Sequence, residues 1–137
     1  MKKYSIHTDG GARGNPGPAA SGCVIHDQEL NKKYTISRCI GSTTNNQAEY
    51  QALLAALEKA YELQATHVDC FLDSELVVKQ MRGEYRVRDR NLSPLYLKIW
   101  NLSLKFNSIS FNHIPRSMNK EADALVNRAL DSQLTMH

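Results

Sequence analysis

The sequence predicts one mixed α/β domain. Three strand-forming runs come first, helical and strand patterns then alternate, and four acidic residues sit where strands end or helices begin. A chain of 137 residues can bury one substantial core and is short for two, and no repeat, low-complexity tract or linker divides it. Residues 1–137 are therefore read as a single domain.

Tyr4 to Thr8 is a short strand-like run. Ser21–His26 and Lys32–Ile40 are rich in β-formers, and Asp27 to Asn31 between them suits a hairpin turn. The three make an antiparallel meander. Tyr50, Leu53, Leu54, Leu57 and Tyr61 then recur at helical spacing behind Thr43, Thr44, Asn45 and Asn46, which offer N-caps. Such a helix crosses back over the sheet and delivers Val68–Leu72 parallel to the first strand. Leu76, Val77, Gln80 and Met81 mark a short helix that stops at Gly83. Leu92, Leu95, Tyr96, Ile99, Leu102 and Phe106 form another apolar stripe, and Ser108–Ile114 reads as a fifth strand ended by Pro115. Asn119 is placed to cap a last helix whose apolar face is Ala122, Leu125, Val126, Ala129 and Leu130.

Composition narrows the classes of function. Hydrophobic residues at 42% and charged residues at 23% are ordinary for a soluble protein, and no apolar run is long enough to span a membrane. The start, Met1-Lys2-Lys3, leads into polar residues rather than a secretory signal. Cys23, Cys39 and Cys70 are odd in number, with no CxxC pair, so they read as small strand or core residues in a reducing, cytoplasmic protein. A monomer is expected, since no extra exposed apolar segment is evident.

The net charge is +3, but the 17 basic residues set against the ten acids outside the junction quartet leave +7. Lys79, Arg82, Arg86, Arg88, Arg90, Lys98 and Lys105 outnumber Glu84 and Asp89 between positions 79 and 105. That favours a phosphate-bearing partner over a merely solvated basic face.

The quartet is Asp9, Glu49, Asp73 and Asp123. Asp9 and Asp73 each close a strand-like run, so parallel neighbouring strands would bring them to one sheet edge, where α/β proteins place their sites. Each acid has a local alternative: Asp9 as a turn residue, Glu49 and Asp123 as first-turn helix acids, Asp73 as a cap. Four such acids at one predicted edge point instead to a metal site, and Gly10-Gly11 behind Asp9 would permit close approach by a ligand.

The segments Thr8 to Gly17, Thr44 to Glu49, Leu72 to Ser74 and Asn119 to Asp123 resemble, in order and spacing, the four motifs of type 1 ribonuclease H. The resemblance runs from about Lys2 to Asp131. It implies a ribonuclease H-like α/β fold, with a five-stranded mixed sheet in the order 3-2-1-4-5 flanked by helices. It also implies endonucleolytic cleavage of the RNA strand of RNA/DNA hybrids, leaving 5′-phosphate and 3′-hydroxyl ends. Asp9, Glu49, Asp73 and Asp123 match the family's metal quartet without substitution. The implied cofactor is Mg²⁺, two ions with substrate bound, with Mn²⁺ as a substitute; hard cations of this kind prefer oxygen ligands.

Distinguishing RNA from DNA requires reading the 2′-hydroxyl, and Asn15, Asn45 and Asn46 are neutral amides beside the acids that can do so. The resemblance extends substrate contact to Gly10, Gly11, Arg13, Thr44 and Ser74. Residues 82–90 are too short for the basic insertion of the familiar bacterial enzymes. The chain thus resembles the compact archaeal and bacterial branch, and Tyr85 with Arg86, Arg88 and Arg90 is read as a partial replacement that touches the DNA strand. The shorter loop before Asp123 favours Arg116 over His113 as a phosphate-contacting assistant. Double-stranded RNA is a second possible substrate. Competing readings are a noncatalytic binding module for hybrid or double-stranded RNA, and another nuclease or transferase of the same fold.

Overall fold

The computed structural model describes residues 1–135. Five strands, β1 (Lys3–Ala12), β2 (Gly17–Asp27), β3 (Lys32–Thr43), β4 (His67–Leu72) and β5 (Ser108–His113), form one sheet in the order β3-β2-β1-β4-β5. The first three are antiparallel; β4 joins β1 in parallel and β5 joins β4 in parallel. Four helices, α1 (Asn45–Glu62), α2 (Glu75–Met81), α3 (Ser93–Ser103) and α4 (Lys120–Thr135), flank it. A 3-10 turn at Arg116–Met118 leads into α4.

Strand alternation decides which face meets which helix. Tyr4, Ile6 and Thr8 on β1 and Val68, Cys70 and Leu72 on β4 are buried, while their neighbours Ser5, His7, Asp69 and Phe71 are half-buried. The buried set packs with Leu53, Ala56 and Leu57 of α1 and Ile99 of α3 into the main core. Each large aliphatic side chain in it contributes about 1.5–3 kcal/mol. A smaller cluster of Ala20, Val126, Ala129 and Leu130 seats α4 on the other face, against β1, β2 and β3.

Helix α1 is rich in alanine, leucine, glutamate and glutamine, all strong helix formers. Its N-cap is Thr44, whose hydroxyl oxygen accepts from the Gln47 amide at 3.2 Å; Asn45 and Asn46 lie inside the first turn and do not cap it. The helix ends at Leu63, after which Gln64 takes a left-handed conformation (φ 64). Gly83 (φ 78) follows α2 in the same way, as the sequence predicts.

Several boundaries differ from the sequence reading. β1 does not stop at Thr8: Asp9, Gly10, Gly11 and Ala12 continue the ladder opposite Gly22, Ser21, Ala20 and Ala19. β2 and β3 are correspondingly longer, and α3 ends before Phe106. Cys23 and Cys70 are buried, but Cys39 is at the surface, its thiol donating to the Ala129 carbonyl at 3.1 Å.

Candidate active site

The register of β1 and β4 assembles the site. Thr8 pairs with Leu72, so the next residues, Asp9 and Asp73, stand side by side where the parallel pairing of β1 and β4 ends. Glu49 comes from the second turn of α1, and Asp123 from the first turn of α4. One carboxylate oxygen from each of Asp9, Glu49 and Asp73 lies within 4.8 Å of the others. All four acids line one cleft of about 430 Å³, together with Gly10, Gly11, Ala12, Arg13, Asn45, Arg116, Val126, Asn127 and Leu130.

Two glycines bring the helices this close. A Cβ on Gly10 would stand 2.2 Å from the carbonyl carbon and oxygen of Ala48, so α1 lies directly on the strand backbone. Gly10 thus admits the helix to the strand backbone, while Gly10 and Gly11 both still line the cleft. A Cβ on Gly22 would stand 2.3 Å from the Ala122 carbonyl oxygen, and its absence seats α4 with Asp123 beside the cleft. Gly10→Ala is expected to cost at least about 2 kcal/mol in a denaturant titration and to weaken divalent-metal affinity, because the clash is with backbone that carries Glu49. Wild-type stability and metal affinity in that variant would contradict this account.

Burial, with crowding of like charges second to it, sets the electrostatics. Asp9 and Glu49 are each 8% exposed. Burial pushes the Asp9 carboxyl up to about 7, helped by the charges of Asp73 and Asp123. Burial and then the neighbouring Asp9 raise Glu49 well above the usual carboxyl range, although the Gly10 amide opposes this by donating to it. One Glu49 oxygen, Oε2, is buried without a hydrogen-bond partner. Converging carboxylates, one with an orphaned oxygen, are the donor set a hard divalent cation needs, and the residues fit such an ion.

The amides and hydroxyls are partly committed within the protein. The Ala12 amide donates to Asn45 Oδ1 at 2.9 Å, and the Asn45 amide donates to Asn15 Oδ1 at 3.0 Å. Each side chain therefore keeps its NH₂ group as what it chiefly offers a ligand, so donation outweighs acceptance. Asn45 lines the cleft; Asn15 and Asn46 are exposed beside it. The hydroxyl oxygens of Thr44 and Ser74 cap α1 and α2, leaving each an O–H to donate; capping at Asp73 thus falls to Ser74.

Arg13 also lines the cleft and is held by Asp131 at 2.6 Å. The Arg116 guanidinium lies 3.6 Å from Asp123 in the cleft, whereas His113 ends β5 outside its lining. Arg86 and Arg88 are not brought to the acids; with Tyr85, Leu76 and Glu84 they line a separate groove. Lys79 reinforces this region, its ammonium 4.9 Å from the Tyr85 ring centroid and 3.0 Å from Glu75.

The structure adds one residue that the sequence reading does not single out and gives another a different role. Asn127 is one turn beyond Asp123 on α4, a spacing that signals a shared face. Asn119, expected to cap α4, instead turns its side chain inward: Nδ2 donates to the Thr8 carbonyl at 2.8 Å and to Asp73 Oδ2 at 3.3 Å.

Comparison with known proteins places these features in a lineage. A family model described as reverse transcriptase-like matches residues 7–129. The bifunctional protein Rv2228c of Mycobacterium tuberculosis is 41% identical over 95% of this chain and 36% of its own length. A ribonuclease HI of Halobacterium salinarum is 42% identical over 94% of this chain and 65% of its own. The chain thus spans between about a third and two thirds of these curated relatives. Among solved structures, LC11-RNase H1 in complex with an RNA/DNA hybrid superposes with a TM-score of 0.87 at 43% identity, covering 96% of this chain and 99% of that one.

Proposed function

Because the chain belongs to the type 1 ribonuclease H family, of the archaeal and bacterial kind, we propose that it is an endonuclease hydrolysing the RNA strand of RNA/DNA hybrids. The observation that carries this reading is the convergence of Asp9, Glu49 and Asp73 within 4.8 Å, with Asp123 lining the same cleft. A binding module would gain nothing from concentrating buried, unpaired carboxylates there.

Asp9, Glu49, Asp73 and Asp123 would hold divalent ions, two with substrate bound, Mg²⁺ first and Mn²⁺ as a substitute. When bound, such ions activate water and stabilise the leaving oxygen of an in-line displacement, consistent with 5′-phosphate and 3′-hydroxyl products. The rest is done by the chain. Arg116, beside Asp123 and mostly exposed, contacts the substrate phosphate. The NH₂ groups of Asn15 and Asn45, fixed by their bonded oxygens, donate to 2′-hydroxyl oxygens, with Asn46 beside them. Gly10, Gly11 and Arg13 form the facing wall, and Thr44 and Ser74 present hydroxyl protons at its margins.

Arg86 and Arg88, in their separate groove, engage the phosphates of the DNA strand. Replacing both by Ala is expected to weaken hybrid binding and to lower the slope of log affinity against log salt by about 2, roughly 0.9 for each lost contact. An unchanged slope in a fluorescence titration would remove them from the interface.

Residues 1–137 act as one cytoplasmic, monomeric domain in this reading; no described helix is long and apolar enough to cross a membrane. One labelled sequence presented as hybrid, double-stranded RNA, single-stranded RNA and double-stranded DNA, with Mg²⁺, Mn²⁺ or chelator, tests the proposal. Metal-dependent cutting of the RNA strand in the hybrid is expected, and the double-stranded RNA lane defines breadth. Binding of hybrid with no cutting would leave a noncatalytic module.

A further inference from the structure

We infer that Asn119 is a positioning residue that sets the metal-binding geometry of the acid cluster by tying together the segments that carry Asp9, Asp73 and Asp123. It is 2% exposed, one of the few buried polar residues, and acts on three elements at once. Its Nδ2 donates to the carbonyl of Thr8, the residue before Asp9, and to the carboxylate of Asp73 itself. Its own backbone carbonyl accepts from the amide of Asp123 at 3.1 Å, the bond that starts α4. Asn119 is therefore tied to three of the four acids, to Asp73 and Asp123 by direct hydrogen bonds and to Asp9 through its neighbour Thr8.

The chemistry of the neighbours makes the amide specific. Both groups facing Nδ2 are acceptors, a carbonyl and a carboxylate, so only the NH₂ end of the side chain can point at them. The Oδ1 end is buried without a partner, a cost accepted where the donor end is needed. An asparagine before a helix would ordinarily bond back to that helix's amides, yet here the side chain forgoes the cap and reaches across to β1 and Asp73. Asp73 is half-buried and sits just beyond the end of β4, so its rotamer depends on such a partner. Groups that orient a metal's ligands typically change its affinity 10–100-fold when removed.

The inference rests on the acids binding a divalent cation, part of the function proposed above, but its test does not need cleavage. Mg²⁺ and Mn²⁺ are titrated into the substrate-free protein by calorimetry, and the metal dependence of hybrid cleavage is followed in parallel. Asn119→Ala is expected to raise the half-saturating metal concentration by about tenfold or more in both, with a smaller loss of rate at saturating metal. Asn119→Ser keeps a side chain able to cap α4 but is too short to reach Asp73, and should show the same shift in metal affinity. Leu57→Ala, in the core away from the cleft, serves as a variant weakened in stability alone and should keep the wild-type metal midpoint. A wild-type midpoint in Asn119→Ser, or a shift in Asn119→Ala no larger than that of Leu57→Ala, would overturn the inference. Wild-type protein that binds metal but cuts no hybrid would sink the nuclease reading and leave this test standing.

Discussion

Asp73→Asn is expected to lower metal-dependent cleavage of the hybrid about a thousandfold or more while hybrid affinity changes only a few-fold. Asp73 is one of the three acids whose oxygens converge within 4.8 Å, and the amide keeps its shape while removing its charge. A neutral oxygen is a poor ligand for a hard dication, and losing several kcal/mol of transition-state stabilisation corresponds to three or more powers of ten in rate. Binding should survive because the groups proposed to contact phosphates, Arg116 and the separate groove of Arg86 and Arg88, are untouched. Removing one carboxylate also relieves repulsion within the cluster, as the Asp73 charge helps to raise Asp9. Single-turnover cleavage and a binding titration in chelator measure the two halves separately. Wild-type cleavage would remove Asp73 from the site, and loss of binding in proportion to activity would mean that the variant has lost its fold.

The outline of that site is legible in the sequence because its acids sit at positions the fold makes adjacent. The runs ending at Thr8 and Leu72 alternate as strands do, and the crossover through α1 brings the second beside the first and parallel to it. What was not legible is tertiary in origin. Gly10, Gly11 and Ala12 have the local character of a turn, but β2 offers them partners, and the ladder continues past Asp9. The value of Gly10 as a seat for Ala48 depends on a helix that begins 35 residues later.

Asn119 and Asn45 show the same limit for side chains. Both stand near helix starts and carry the signature of a cap, and both are claimed by backbone groups or carboxylates from other elements. Helix capping competes with every other hydrogen-bond partner within reach, and only the fold reveals which wins. The Arg86 and Arg88 groove was legible as basic charge, but its separation from the acids was not, since position around the sheet has no local sequence signal.

The metal-free protein should lose stability as pH rises from about 4 to about 7, and Asp9→Asn should abolish much of that loss. In the unfolded chain Asp9 releases its proton near the ordinary value of 3.8, whereas in the fold burial and the charge of Asp73 hold it until about 7. Below both values neither state is ionised, and the group costs nothing. Between them the unfolded state has released the proton and the folded state has not, so stability falls with rising pH; above about 7 the penalty is fully present. The raised Glu49 adds in the same direction. At 1.36 kcal/mol per pKa unit the Asp9 contribution reaches about 4 kcal/mol. Asp9→Asn in chelator should therefore be more stable than wild type at pH 8, by about 2–4 kcal/mol, and little different near pH 4. Mg²⁺ or Mn²⁺ should close the gap by stabilising wild type more than the variant, since an ion that binds only the fold stabilises it by RT ln(1 + [L]/Kd). Denaturant titrations of the two proteins across pH 4–8, with and without metal, decide the matter. A flat profile for metal-free wild type would mean that the carboxylates are not held buried and against one another, and the account of the cluster as a preformed but strained cation site would fail with it.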